Sequence, residues 1–364
     1  MAHIAGSIAQ AVPQTVGRRL DWVDTAKGIC IILVVMMHSV AGYQDAMGAA
    51  GWMQPVLDFT IPFRMPDFFV LSALFVYARI DAPWKVYLDR KVLHFAYFYI
   101  LWMVIQIGVK QAIDGATASE IVSQMALALV QPFGTLWFIY LLAIFLIATR
   151  LLQGLPVLAV WLMAAALQIA PVGAGIYVVD YFASYFVYFY TGHILSAHLF
   201  RMADAARQRV GLSWGLIGLW AVLNGAAVWS GLATLPGIAL GLGLAGAAAI
   251  VAFAALIAGS LIGRALAIPG AHSISIYLAF FLPMAATRIV LVKTGLVPDV
   301  GLASFMVMAA AVLAPLMLYF MVRNTPLVFL FERPHWARII PPGSSGSAKR
   351  EKPMLRHAQM SPGR

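Results

Sequence analysis

Ten stretches of the 364-residue chain are apolar over about the length that carries a helix across a bilayer, roughly 20 residues: about 28–46, 56–78, 92–110, 132–150, 155–172, 176–199, 212–231, 236–262, 271–291 and 301–322. That pattern leaves little choice of fold. A backbone surrounded by hydrocarbon must satisfy its own N–H and C=O groups, and a helix does so within one segment. The composition, 62% hydrophobic and 10% charged, is far from the roughly half apolar and quarter charged of a soluble domain. The expected architecture is all-α: a polytopic membrane helix bundle of about ten transmembrane helices.

An even number of spans places both ends of the chain on one side, and the Lys and Arg content of the loops decides which side. One set of loops carries Arg18, Arg19, Lys27, Arg79, Lys85, Arg90, Lys91, Arg150, Arg201, Arg207, Arg209, Arg264 and a basic C-terminal tail. The other carries only Lys110, Arg288 and Lys293. Both termini are therefore expected to be cytoplasmic, and the net charge of +10 reports topology and contact with the lipid bilayer; no nucleic acid partner is implied. No apolar core precedes Arg18, and the first run has no small-residue cleavage pattern, so it reads as an uncleaved span. The single cysteine, Cys30, excludes an internal disulfide. Between the third and fourth runs, Thr117 and Glu120 stand at capping-box spacing before Ile121, Met125 and Leu129, which predicts a short amphipathic helix on the outer surface. Three regions result: a cytoplasmic segment 1–27, a transmembrane domain 28–322, and a basic cytoplasmic tail 323–364. The tail is Gly/Ser/Pro-rich from Pro341 and is expected to be disordered.

Polar residues inside the apolar runs need a reason. Arg64, in TIPFRMPDFF, lies eight residues past the start of the second run, about 12 Å deep at 1.5 Å per residue. Burying it costs at least roughly 2.5–3.5 kcal/mol on insertion scales. Asp67, three residues on, shares its helix face and can pair with it, while Pro66 between them removes a backbone donor. A strut locking two helices is the plainer reading, but a distortion at Pro66 that opens carbonyls to a cavity favours a functional site. His38 lies ten residues into the first run, which enters from the opposite side, so His38 and Arg64 fall at comparable depth. Imidazole is a proton acceptor near neutral pH and a nucleophile.

At the cytoplasmic mouth of the first run stand Asp24 and Lys27, and at the mouth of the third Arg90 and Lys91. They read either as topology anchors or as a polar entrance for an anionic donor. Trp137, Asp180 and Tyr185 are candidates for an outer, acceptor-side wall, with an interfacial aromatic belt as the plainer account. No metal-ligand spacing, glycine-rich nucleotide loop or nucleophile elbow occurs in the loops. Any catalysis is expected inside the bundle, with no metal and no bound cofactor.

Arg19, Asp24, Lys27 and Gly28 followed by an apolar run and His38, together with PFRMPDFFVLSALF, resemble the integral-membrane acyltransferase 3 family, including its sugar O-acetylases of the fucose 4-O-acetylase-like group. Further echoes are the LWF string from Leu136, the aromatic run ending at Gly192, and SISIYL at Ser273 to Leu278. The chain departs from the pattern at Arg64, where sugar acetylases often have histidine, at Asp67, where an apolar residue is common, and at Ala73 in place of glycine. The resemblance implies a multi-pass cell-membrane enzyme. It would move an acyl group, usually acetyl, from cytoplasmic acyl-CoA to a hydroxyl of a sugar, glycolipid or other envelope acceptor. His38 would be its leading catalytic residue, as general base or acyl carrier. Arg64 would stabilise charge on the acyl oxygen, with Asp67 orienting it, and Asp24, Lys27 and Arg90 would face the donor. A proton-coupled exporter of an anionic or sugar-like solute is the competing reading, and a lipid-binding assembly protein a third.

The charge bias makes a direct prediction. Reporter fusions placed after Lys110 and after Arg209 should give opposite compartment signals; equal signals would remove the ten-span topology.

Overall fold

A computed structural model of the protein describes residues 21–77, 80–170 and 172–340. Every regular element among them is helical. Among the described residues six helices are long and apolar enough to cross a bilayer: α1 (Asp21–Met47), α4 (Trp84–Asp114), α6 (Gly134–Gly154), α10 (Val210–Trp229), α11 (Ile238–Ile257) and α15 (Val300–Val322). They coincide with the first, third, fourth, seventh, eighth and tenth apolar runs.

The remaining four runs do not form single long helices. The second is broken into α2 (Gln54–Thr60) and α3 (Arg64–Ala73) by a turn at Ile61–Phe63. Two prolines explain the break. Pro62 falls inside the turn, and Pro66 falls in the first turn of α3, where its missing N–H would have had no intrahelical partner in any case. The fifth run yields α7 (Val157–Ile169), whose 13 residues make about 20 Å of helix, short of a bilayer core of about 30 Å. The sixth gives α8 (Tyr177–Ile194) and α9 (Ser196–Gln208). Across the ninth lie α12 (Leu261–Ala271), α13 (Ser273–Ala279) and α14 (Phe281–Thr294), with a bend of 58° between α12 and α13. That pair counts as a seventh candidate span if it is taken as one bent span. Apolar length alone cannot reveal a break when the residues on both sides are equally apolar.

The predicted amphipathic helix forms as α5 (Ala118–Ala128). Thr117 caps it, and Glu120 returns a bond to the Thr117 amide at 2.7 Å.

Helix α1 is the hub: α3, α11, α12, α13, α14 and α15 all pack on it. Its crossing with α12 is a backbone contact. A Cβ on Gly28 would collide with the Leu266 carbonyl, and one on Gly270 would collide with the Asp24 carbonyl. A second such crossing joins α8 to α3, where a Cβ on Gly192 would strike the backbone of Val70. Small residues let membrane helices approach this closely.

The chain stays folded beyond the boundary expected at 323. Residues 326–340 are folded, with single turns at Pro326–Leu330 and His335–Ala337, and Arg333 forms a buried ion pair with Asp89. The pairing bridges 244 residues of sequence, a contact that composition cannot forecast. The expected disorder from Pro341, and the segment before Asp21, lie outside the described residues.

Gly28→Ala should lower the melting temperature of the purified protein, because the new methyl meets main chain that no side-chain rotation can move; overpacking of this kind typically costs 1–3 kcal/mol. Gly241→Ala on α11, where a Cβ meets nothing within 4 Å, should leave it unchanged or raise it.

Candidate functional site

Helices α1 and α3 run antiparallel, and this places the polar residues. At one end the Lys27 ammonium lies 5.8 Å from the centre of the Phe75 ring. In the middle Cys30 and Asp67 are neighbours. At the other end Arg64 comes within electrostatic reach of His38. The offsets match: eleven residues separate Lys27 from His38 and eleven separate Arg64 from Phe75, each about 16 Å of helix rise. Opposite directions of travel therefore bring His38 and Arg64 to one level.

Between the two helices, α6 and α13, a cavity of about 300 Å³ begins at Asp24 and Lys27 and is walled by Phe68, Ser72, Phe138 and Tyr277. Residues at intervals of four, four and three put Arg64, Phe68, Ser72 and Phe75 on one face of α3, so the face that lines the cavity ends at Arg64. On α1, Lys27, Ile31, Val34 and His38 share one face, of which Lys27 lines the cavity while Ile31 and Val34 are packed in the core. The imidazole of His38 is half-buried, its ring 5.5 Å from that of Phe280. Phe280 is in turn one turn beyond the cavity wall at Tyr277. His38 thus stands past the inner end of a cavity whose mouth is charged.

The string around Arg64 and the LWF string are packed together. Phe68 stacks on Phe138 with ring centres 4.4 Å apart, and Phe69, wholly buried, contacts Trp137, Phe138 and Tyr185. Tyr277 locks α13 to the same place: its hydroxyl donates to the Thr135 carbonyl and accepts from the Phe138 amide at 3.2 Å. SISIYL was legible only as a resembling string; that its tyrosine closes the cavity follows from the bend between α12 and α13.

Arg64 and Asp67 do not form the hydrogen-bonded pair that their spacing suggests. The Arg64 Nη1 donates to Thr60 Oγ1 at 3.3 Å, back across the break, and its Nε is buried without a partner. Both Asp67 carboxyl oxygens are buried with no hydrogen bond of ordinary geometry, facing Cys30 on α1. The reason is directional. Helical side chains lean toward the helix N-terminus, so at the very start of α3 Arg64 reaches into the α2–α3 turn while Asp67 points across at α1. Arg64 also lies within electrostatic reach of Tyr185, which the sequence placed only on an outer wall.

The other candidates divide. Asp24 and Lys27 line the cavity mouth; Arg90, half-buried in a π turn at Leu88–Val92, is not among the lining residues. Trp137 is 9% exposed and packs against Tyr181 and Tyr185, with ring centres 4.6 and 5.6 Å away. Asp180 is apart from them: its carboxylate accepts the Ala174 amide at 2.8 Å and fastens the turn that leads into α8. A carboxylate in the first helical turn is favoured by the helix dipole alone.

These features define a multi-pass helical membrane protein with a half-buried histidine and arginine beyond a charged-mouthed cavity. The chain belongs to the acyltransferase 3 family: the family model described as "Acyltransferase domain" matches residues 20–322. A curated relative, the inner membrane protein YcfT of Escherichia coli (strain K12), is 31% identical over 83 residues, covering 20% of this chain and 23% of that protein. No solved structure matches the chain.

Proposed function

We propose that the protein transfers an acyl group, acetyl in the simplest case, from cytoplasmic acyl-CoA to a hydroxyl of a sugar, glycolipid or other envelope acceptor, with His38 at the reacting centre. The observation that carries this reading is the arrangement of α1: Lys27 at the cavity mouth and His38 about 16 Å along the same face, beside Arg64. An acyl-CoA has the matching polarity. Its nucleotide end is rich in phosphate and belongs at a hydrated, cationic mouth. Its pantetheine arm is narrow and largely uncharged, suited to a cavity walled by Phe68, Phe138 and Tyr277.

On this reading an imidazole nitrogen of His38 takes the proton of the acceptor hydroxyl as the oxygen attacks the thioester carbonyl, and the bond to sulfur breaks to release the coenzyme A thiolate. In the variant route His38 itself attacks the carbonyl and expels the coenzyme A thiolate, and the acceptor oxygen then displaces the imidazole, which takes up the hydroxyl proton as it leaves. Arg64, a fixed planar cation, stabilises the negative charge that develops on the carbonyl oxygen in either route. Asp67 then acts at one remove, through its placement against α1. Both termini are cytoplasmic in this scheme, so the donor enters from the side of Asp24 and Lys27 and the acceptor from the side of Trp137 and Tyr185.

His38→Ala should reduce acyl transfer in membranes by roughly 10²–10⁴-fold at matched protein level, and Arg64→Lys by about 10²-fold, since an ammonium does not reproduce the planar fork. Undiminished turnover in His38→Ala removes the assignment. Mass spectrometry of acid-quenched protein after mixing with acetyl-CoA separates the two routes, because only the second leaves an acetyl mass on the peptide that contains His38.

For donor binding, Lys27→Ala should raise the KM for acyl-CoA by about fivefold, the loss of roughly 1 kcal/mol from one partly hydrated charge contact. Arg90→Ala should raise it less, because Arg90 stands outside the cavity wall. Equal KM values for Lys27→Ala and the wild type would leave Lys27 as a topology signal.

A further inference from the structure

Beyond the residues matched by the family model, the chain folds back on its own inner face. The segment 326–340 lies across the start of α4 and is tied at both ends. At one end the Tyr97 hydroxyl donates to the Phe329 carbonyl at 3.0 Å and the Trp102 indole to the Leu330 carbonyl at 2.8 Å, with the Phe331 ring against Trp102 and Tyr319. At the other end the guanidinium of Arg333 donates to both the carbonyl and the carboxylate of Asp89, and to the Ala337 carbonyl through Nε at 2.9 Å and Nη2 at 2.7 Å. The Ile339 amide adds a bond to the same Asp89 carboxylate at 2.9 Å. Arg333 is 6% exposed and Asp89 2%, so the pair is closed within the protein.

Asp89 sits in the π turn at Leu88–Val92. A π turn is wider than an α turn, with poorer internal packing, and is found mostly as a single local distortion. Here it is held from outside. A carboxylate buried at this point without a cation would be strongly unfavourable, so the turn and the segment require one another. Two turns of sequence carry the consequence to the cavity: His94 lies within electrostatic reach of Lys91, Arg333 and Arg338, and the next residue, Phe95, lines the cavity. The segment therefore both positions the start of α4 and brings Arg338 to its cationic face.

We propose that residues 326–340 are a strap that holds the mouth of the donor cavity in its binding form, and that Arg333 is the positioning residue that fastens it to Asp89. The proposal rests on the reading of the cavity as an acyl-CoA site. Arg333 acts through α4 and touches neither donor nor acceptor, so its loss should weaken the donor's hold without altering the groups at His38.

The test measures coenzyme A binding to the purified full chain by calorimetry, and amide hydrogen exchange of the same samples. In Arg333→Gln, coenzyme A affinity should fall at least tenfold and amides across 88–95 should lose protection, while those of α10 keep theirs. Trp102→Phe loosens the other end without leaving a buried charge and should weaken binding by about threefold; it keeps the test decisive if Arg333→Gln fails to fold. Lost protection with unchanged affinity in the folded variants would make the strap a brace with no bearing on the donor and overturn the proposal, as would full protection at 88–95. Absence of coenzyme A binding by the wild type would overturn the donor reading instead, and the exchange data would then decide alone whether Arg333 pins the turn.

Discussion

The backbone-to-backbone crossing of α1 and α12 at Gly28 and Gly270 governs the placement of the site. No side chain separates the two helices there, so the first turns of α1 are held at the level of the bend between α12 and α13. That single approach puts Asp24 and Lys27 beside Gly270, and it brings α13, with Tyr277, across to meet the start of α6. The cavity is the space left between helices that converge at one point and diverge beyond it. The residue after Lys27 is a glycine because the Leu266 carbonyl stands where a Cβ would be.

The antiparallel relation of α1 and α3 is the second constraint, and it depends on a defect. A continuous helix over 56–78 would have carried Arg64 at mid-span with Asp67 a turn away on the same face. The turn at Ile61–Phe63 instead makes Arg64 the first residue of α3. Its side chain leans out of the helix toward Thr60 and the His38 level, and Asp67 turns to α1. An intramembrane charge is expensive in hydrocarbon; at a helix break, where the backbone is irregular, polar groups have more ways to be accommodated. A broken span is thus where a charged side chain can be aimed.

Electrostatics at the start of α4 follow a different pattern. The ion pair of Asp89 with Arg333 is completed by main-chain carbonyls and an amide, and has the extra hydrogen bonds that a buried pair needs if desolvation is to be offset. Asp67 has no such set. A carboxyl saturated with donors is a fastening, and Asp89 is one. The Asp67 carboxyl, buried against Cys30 of α1 and within electrostatic reach of Arg64, and the Arg64 Nε are both held short of full satisfaction.

The amino-acid sequence by itself determined the all-helical membrane class, because no soluble fold accommodates that many apolar runs of bilayer length. It also carried the resemblance to the acyltransferase 3 family, the polar residues His38, Arg64, Asp67, Asp24 and Lys27, and the capped helix at Thr117, each legible because its signal is local in sequence. Six of the apolar runs were long helices as read; the other four were not, since prolines and bends interrupt helices without interrupting hydrophobicity. Only the tertiary structure decided that Arg64 faces Thr60 and not Asp67, that Asp180 fastens a turn, that Arg90 stands outside the cavity, and that Arg333 closes on Asp89. Those facts depend on which backbones touch and which way a side chain leans at a helix start. Spacing along the chain does not encode either: Arg64 and Thr60 are only four residues apart yet meet across a helix break, while Arg333 and Asp89 are 244 apart.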